Sequence, residues 1–491
     1  MLIDALTFAL EKSGCLENFW GKLDAGSDAT LAVAASARPF LAAARFAHRP
    51  QATLVVVAGE DEAALFARSV AAYLGDERVL RFPVRKDYPF AGGTGDAAVV
   101  AKRMEAAWSL QQGRPAVVVA SAAALVRALP PASAQVCWPV RLVQGRDYGE
   151  EPDGAMDGLD ALAHLLEEKG YANTGELDGP GTFALRGGTV DVFPGNLPWP
   201  LRIDFFGDEV EEIRRIVPST GQTIASLSEV EIFPVREFAV TEAALRRAKK
   251  KLEALALSNP TLRDVREKLE GGLRFDGADV LLPYLYDKTA TLGDYAGAGT
   301  CTALIEPRSL FDDAAHAYEA VAERAHGTHI ALEGLYVPAA QLNFGGQVRA
   351  TYVSIMQVGN VADDELPVKR ADVAGMPDKL YGKLTSLTRD GYRVVFSAPQ
   401  YRVREEMRHE FVDHSIPIAM LEEGLSEADE APRLASQKAE GPAEERHEAA
   451  LAKRQLRRGV VTVVDNPIPL GMVIPKAKLA LISISDTQGS Q

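Results

Sequence analysis

Cysteine is scarce in this chain, and what there is does not cluster. Cys15, Cys137 and Cys301 lie far apart in 491 residues, with no metal-ligand spacing between them. A disulfide framework and a cysteine-based zinc site are therefore not expected, whereas free thiols in a reducing compartment are. Long apolar runs are missing too. No stretch approaches the ~20 residues of a membrane-spanning helix, so no membrane partner is expected. The first residues, MLIDALTFALEKSG, place an acid where a secretory signal is basic, and no small-residue cleavage site follows. They read as an amphipathic helix of a cytoplasmic protein. Positive charge is also short, with a formal net charge of −15. That disfavours a dedicated DNA-binding protein, whose affinity rests on neutralising phosphates. Basic clusters at Arg246, Arg247, Lys249, Lys250 and Lys251, and at Lys453, Arg454, Arg457 and Arg458, sit in helix-like, Ala-rich surroundings and read as solvated helix faces.

The chain also lacks the residues that nucleotide chemistry needs. A P-loop uses glycines so that backbone N–H groups reach phosphates, a lysine for the β/γ charge and a hydroxyl for Mg²⁺. Residues 32–39 read AVAASARP after a short apolar strand. Laid on G-x-x-x-x-G-K-[ST], the register fits and every required residue is lost. Ala32 and Ala37 replace the glycines, Arg38 the lysine and Pro39 the hydroxyl residue. Alone this octapeptide is a weak signal, since any βα unit could supply it. Gly92-Gly93-Thr94-Gly95 and Gly297-Ala298-Gly299-Thr300 read as turns. His409 and His414 are five apart, one too many for zinc-protease geometry. No Ser/His/Asp set emerges. No catalytic residue, metal or cofactor is expected.

What is present is an ordinary globular composition, 47% hydrophobic and 25% charged, long enough for several domains. Up to about residue 140, apolar strands (30–33, 53–58, 79–83, 116–120) alternate with helical stretches (39–47, 62–74, 98–110, 122–129). That alternation predicts a parallel α/β sheet. From about 140 to 238 the grammar changes to a helix over 159–168, ended by Gly170, and short antiparallel strands. Helices dominate after 240, with Leu245, Ala248, Leu252 and Leu255 on one stripe; strands return at 303–305, 329–332 and 351–355. Residues 359–377 read as a linker and 421–454 as a long solvated helix or disordered insertion. Strands at 392–397, 460–464 and 479–484, with a helix over 401–411, form a last α/β part.

The richest stretch runs from 183 to 215. Strand side chains alternate faces. Leu201, Ile203 and Phe205 then point to a core, while Arg202, Asp204 and Phe206 point away. Val190 and Val192 oppose Asp191 in the same manner, and Gly187-Gly188 forms a turn between short strands. The outward face bears Arg186, Arg202, Asp204 and an apolar ring, Phe206. It reads either as an ordinary solvated sheet face or as a docking surface, for which Arg and aromatic residues are enriched.

These strings carry a resemblance. RGGTVDVFP (186–194), PLRIDFFGDEVEEIR (200–214) and the Ser-Thr-Gly-Gln turn at 219–222 resemble the homology module shared by the bacterial repair proteins UvrB and Mfd, the transcription-repair coupling factor. Residues 281–283 (LLP) with 289–295 (TATLGDY) and residues 475–484 resemble further segments of that family. Asp87-Tyr88-Pro89-Phe90 resembles a family loop, although Arg85 and Lys86 stand where acidic or neutral residues are more usual. The likeness is specific over about 181–238 and loose elsewhere.

The resemblance implies an α/β multidomain architecture. A degenerate helicase-like (RecA-like, UvrB-like) parallel-sheet module comprises 1–139 and 239–358, interrupted by an inserted α+β UvrA-binding domain at 140–238. A linker at 359–377, a small α/β domain at 378–485 and a tail at 486–491 follow. It also implies that Arg186, Arg202 and Phe206, with Asp204 beside them, are UvrA-contact positions. UvrB has a true P-loop where Ala32–Pro39 stands here, and Mfd-like proteins a degenerate one. The expected function is a non-catalytic adaptor of transcription-coupled nucleotide-excision repair that recruits UvrA to stalled RNA polymerase. Polymerase and DNA would be contacted only through family modules absent from these residues, and the chain is read as a piece of a longer, ATP-driven translocase. The competing readings are an ATP-dependent DNA helicase, a UvrB-like damage loader and a DNA-binding module.

Overall fold

The computed structural model describes residues 2–91, 95–147, 158–239, 241–271, 277–355, 362–373, 377–420 and 456–488. The expectations for Gly92, Gly93 and Thr94, for Lys453 and Arg454, and for 421–454 lie outside these residues.

Helices Leu2–Ser13 and Glu17–Asp24 come first, followed by strands β1 (Ala29–Val33), β2 (Thr53–Val57), β3 (Val79–Phe82) and β4 (Val117–Ser121). Helices Arg38–His48, Glu60–Leu74 and Ala97–Gln111 cross over between them. Two of these helix starts have a local cause. Pro39 falls in the first turn, where its missing N–H costs nothing. Asp96 caps Ala97–Gln111 by accepting from the amides of Ala98 and Val99 at 2.8 and 3.3 Å. Strand β2 reads TLVVV and is buried throughout, as a parallel strand covered on both faces must be.

The chain then leaves this body for an insert. It contains β5 (Val140–Val143), helix Gly158–Glu168, β6 (Ala172–Asn173), β7 (Thr182–Arg186), β8 (Thr189–Phe193), β9 (Leu201–Phe206), β10 (Glu209–Ile216), β11 (Thr223–Leu227) and β12 (Glu229–Ile232). Strands β6 to β11 form one sheet in the order β11-β10-β9-β8-β7-β6, and β12 pairs with β5. From β7 to β11 it is an antiparallel meander. Leu162, Leu166, Phe183, Val190, Val192, Leu201 and Ile203 make its core under the helix.

After the insert, β13 (Cys301–Ile305), β14 (Val348–Val353) and β15 (Asp364–Leu366) return to the first sheet. Its order is β15-β1-β14-β13-β2-β4-β3, with every pair parallel. Strands from after the insert thus lie between β1 and β2, so the two pieces are one seven-stranded RecA-like α/β layer. Finally β16 (Lys369–Arg370), β17 (Arg393–Ser397), β18 (Ile418–Met420), β19 (Val460–Val464), β20 (Met472–Ile474) and β21 (Leu479–Ser483) form a mixed sheet, β16-β20-β21-β17-β19-β18. Its Val395, Met472, Ile474 and Leu479 share a core with Leu6, Phe40, Val55 and Val57 of the first body, so the two units pack on one another.

The structure departs from several local expectations. The helix expected over 122–129 stops at Leu125. Beyond it the backbone pairs tertiary partners instead, with Ala128 N–H donating to Leu335 O and Leu129 N–H to Ala290 O. Residues 329–332 are not a strand, and His329 takes φ +60°. Leu255 is 44% exposed, off the buried stripe formed by Ala244, Ala248 and Leu252. Within 359–377, the described residues supply β15 to one sheet and β16 to the other.

Candidate docking face and the loop after β1

On β9 Leu201 and Ile203 are fully buried, Arg202 and Asp204 are half-buried, and Phe206 is 78% exposed. Strand register builds the outer face into rows. One runs Ala184, Asp191, Arg202, Arg214, Ser226 across five strands; the next runs Arg186, Thr189, Asp204, Glu212. Arg202 and Arg214 stand directly opposite, which like charges disfavour. Each turns to a carboxylate. Arg202 donates through Nε and Nη2 to the two oxygens of Asp191 at 2.7 and 2.8 Å, and this bonding raises its pKa further. Arg214 donates to Asp204, whose other oxygen accepts from Thr189 Oγ1 at 2.8 Å. Asp191 is 3% exposed. Arg186 stays largely in solvent, its Nε 3.8 Å from Asp191, beyond hydrogen-bonding distance. The fold therefore places Arg186, Arg202, Asp204 and Phe206 on one side of the sheet. Sequence reasoning missed Asp191 and Arg214 as partners; the readable signal was an acid between two valines, facing an arginine on the next strand.

The loop after β1 is a second locus. Ala35–Ala37 is a 3₁₀ turn leading into helix Arg38–His48. The carboxyl ends of β1, β14 and β13 lie side by side, where an open α/β sheet places its ligand. Arg38 fills that place. It is 3% exposed and donates to Glu306 after β13, to Ser354 Oγ after β14 at 3.2 Å and to Val33 O at 3.4 Å. Ser354 Oγ also donates to Glu306 Oε1 at 2.5 Å. Ala32 and Ala37 are buried, and Pro39 offers no N–H. A cavity of about 410 Å³ flanks this loop, lined by Phe40, Phe66, Tyr73 and Leu470 among others, with no basic side chain to receive a phosphate.

A buried ion network lies where the insert rejoins the body. Glu237 accepts from Arg103 Nε at 2.5 Å and lies 3.1 Å from Arg85 Nη1. Arg85 also donates to Asp87 at 2.9 and 2.6 Å and to Asp279 at 3.2 and 2.8 Å. Arg127 joins Asp87 at 3.2 Å. Burial alone would raise the Glu237 carboxyl, but Arg103, Arg85 and Arg127 outweigh it and hold it at about 2. The basic residue at 85 that looked out of place in its loop is thus the hub of this network.

Among the described residues no group of three or more His, Cys, Asp or Glu could hold a metal ion, and no helix is long and apolar enough to cross a membrane. His414 stacks on Tyr381 at 3.9 Å. Of the basic helix Glu242–Leu255, Arg247 donates to Leu285 O and Lys251 to Tyr286 O, so part of that charge caps a neighbouring helix.

The family model for the UvrB interaction domain matches residues 153–238. A transcription-repair-coupling factor from Myxococcus xanthus is 33% identical over 306 residues, covering 59% of this chain and 25% of that protein. One from Bacillus subtilis is 23% identical over 445 residues, covering 84% and 34%. UvrABC system protein B from Chloroflexus aggregans is 33% identical over 106 residues, 21% of this chain and 16% of that protein. The chain therefore carries a UvrB interaction domain and is similar over much of its length to transcription-repair-coupling factors, of which it spans about a quarter to a third.

Proposed function

We propose that this chain is a non-catalytic adaptor of transcription-coupled nucleotide-excision repair in the cytoplasm, recruiting the damage-recognition ATPase UvrA through the outer face of its insert. The observation that carries the reading is Phe206. An aromatic ring 78% exposed, on the same face as the exposed Arg186 and among charges paired within the sheet (Arg202 with Asp191, Arg214 with Asp204), has the composition of an interface hot spot. The complementary surface would offer an apolar pocket for the ring and a carboxylate for Arg186. The match of residues 153–238 to the UvrB interaction domain supports the same reading.

Binding without catalysis is supported by the first body. Arg38, where a P-loop has its lysine, is bonded to Glu306 and Ser354 and leaves no donor set arranged for phosphates. The deciding experiment is capture of purified UvrA by this chain and by its Arg186→Ala/Arg202→Ala/Phe206→Ala triple variant. Loss of capture by the triple variant is expected; capture equal to wild type would end the reading.

A further inference from the structure

Of the three guanidinium groups in the rows of the outer face, that of Arg214 is held by Asp204, that of Arg186 is largely exposed, and that of Arg202 is fixed. Two features from distant parts of the insert fix the last of these. Asp191 lies under it, 3% exposed, with both oxygens bonded side-on to Nε and Nη2. Such a two-bond pairing sets the plane of the guanidinium and not merely its position. The turn after β10 lies against it. Gly221 N–H donates to Val217 O at 2.8 Å, and Gly221 takes φ +66°, a conformation that glycine adopts without strain. A Cβ on Gly221 would stand 3.5 Å from Arg202 Nη2 and 3.7 Å from Nη1, so any longer side chain would take the space beside the charge.

We infer that Asp191 and Gly221 are positioning residues for docking. Asp191 holds the Arg202 guanidinium flat on the sheet, and Gly221 keeps its neighbouring space open for a planar acceptor, a carboxylate on the partner protein. The inference rests on the docking reading above. It assigns a reason to two parts of the motif that otherwise have none: the acid within the β8 sequence and the glycine of the Ser-Thr-Gly-Gln turn. Free arginine loses side-chain entropy when a partner immobilises it; an arginine already held by Asp191 has lost it beforehand.

A purely structural Asp191 would stabilise the sheet without coupling to Arg202 in binding. A double-mutant cycle on the full chain separates the two, read as affinity for purified UvrA. Asp191→Asn should weaken binding about tenfold, as Arg202→Ala does, and Asp191→Asn/Arg202→Ala should bind no worse than Arg202→Ala alone. Additive losses would make Asp191 structural. Gly221→Asn, which accepts the left-handed backbone but fills the space, should weaken binding several-fold at an unchanged melting temperature; wild-type affinity there would remove Gly221 from the inference. This variant also decides the matter should Asp191→Asn fail to fold. Phe206→Ala is the control. If it loses binding while Asp191→Asn does not, positioning fails and docking stands. If neither loses binding, the docking reading itself fails.

Discussion

Arg103 and Glu237 meet at 2.5 Å in the interior, the arginine fully buried on helix Ala97–Gln111 and the acid on the segment by which the chain leaves the insert. Arg103 also lies 3.9 Å over the Phe82 ring and donates to Pro83 O at 2.9 Å. The exit of the insert is therefore tied to the first body through one carboxylate shared by several arginines.

Removing that carboxylate leaves the fully buried Arg103 without its acidic partner, while Arg85 and Arg127 keep Asp87 and Asp279. Glu237→Gln should cost about 3–5 kcal/mol of stability, read by urea unfolding at neutral pH. An unchanged midpoint would show that the network is neutral to stability.

The same group predicts an acid-labile window. Its folded value near 2 lies below the ordinary 4.5, so its stabilisation is present above about pH 4.5 and is lost as pH falls toward 2. The amount is roughly 3 kcal/mol at most, from the linkage relation. Wild type should lose more stability than Glu237→Gln between pH 5 and pH 3. Parallel curves for the two would assign acid unfolding to other carboxylates.

Arg38 and Glu306 pair at the carboxyl ends of β1 and β13, and Ala32, Ala37, Arg38 and Pro39 stand where a P-loop has its glycines, lysine and hydroxyl. Calorimetry with ATP–Mg²⁺ at micromolar to millimolar concentration should give no binding heat. A saturable isotherm would overturn the reading of this site as closed.

Phe206 contributes little to the fold because its ring is in water. Phe206→Ala should change stability by less than about 0.5 kcal/mol and weaken UvrA binding by about 1–3 kcal/mol. A variant that melts early would assign the ring a packing role instead.

Lys249 and Lys250 are exposed on the basic helix, as is Arg246, which pairs with Glu242, while Arg247 and Lys251 donate to carbonyl oxygens. Duplex DNA should bind weakly at physiological salt, and Lys249→Ala/Lys250→Ala should change that little. Tight, steeply salt-dependent binding abolished by the pair would favour a DNA-binding module.

Alternation on β9 was readable residue by residue, since a period of two places Ile203 inward and Phe206 outward whatever the strand pairs with. That residues 32–39 lack the P-loop residue types was readable for a similar reason, because that chemistry needs particular residues at fixed spacing. The interior ends of elements were less legible. Residues 126–129 have the apolar spacing of a helix, yet the amides of Ala128 and Leu129 donate to Leu335 O and Ala290 O, far away in the chain.

By itself, then, the sequence determined which side chains face out of the insert and which P-loop residues are missing from the first loop. Tertiary structure decided what those side chains do next. Arg38 and Glu306 are 268 residues apart, and only a sheet that inserts β13 and β14 between β1 and β2 makes them neighbours. Asp191 became the seat of Arg202 because the β8–β9 register sets them opposite. Pairing of charges depends on distance in space, which a one-dimensional pattern does not contain.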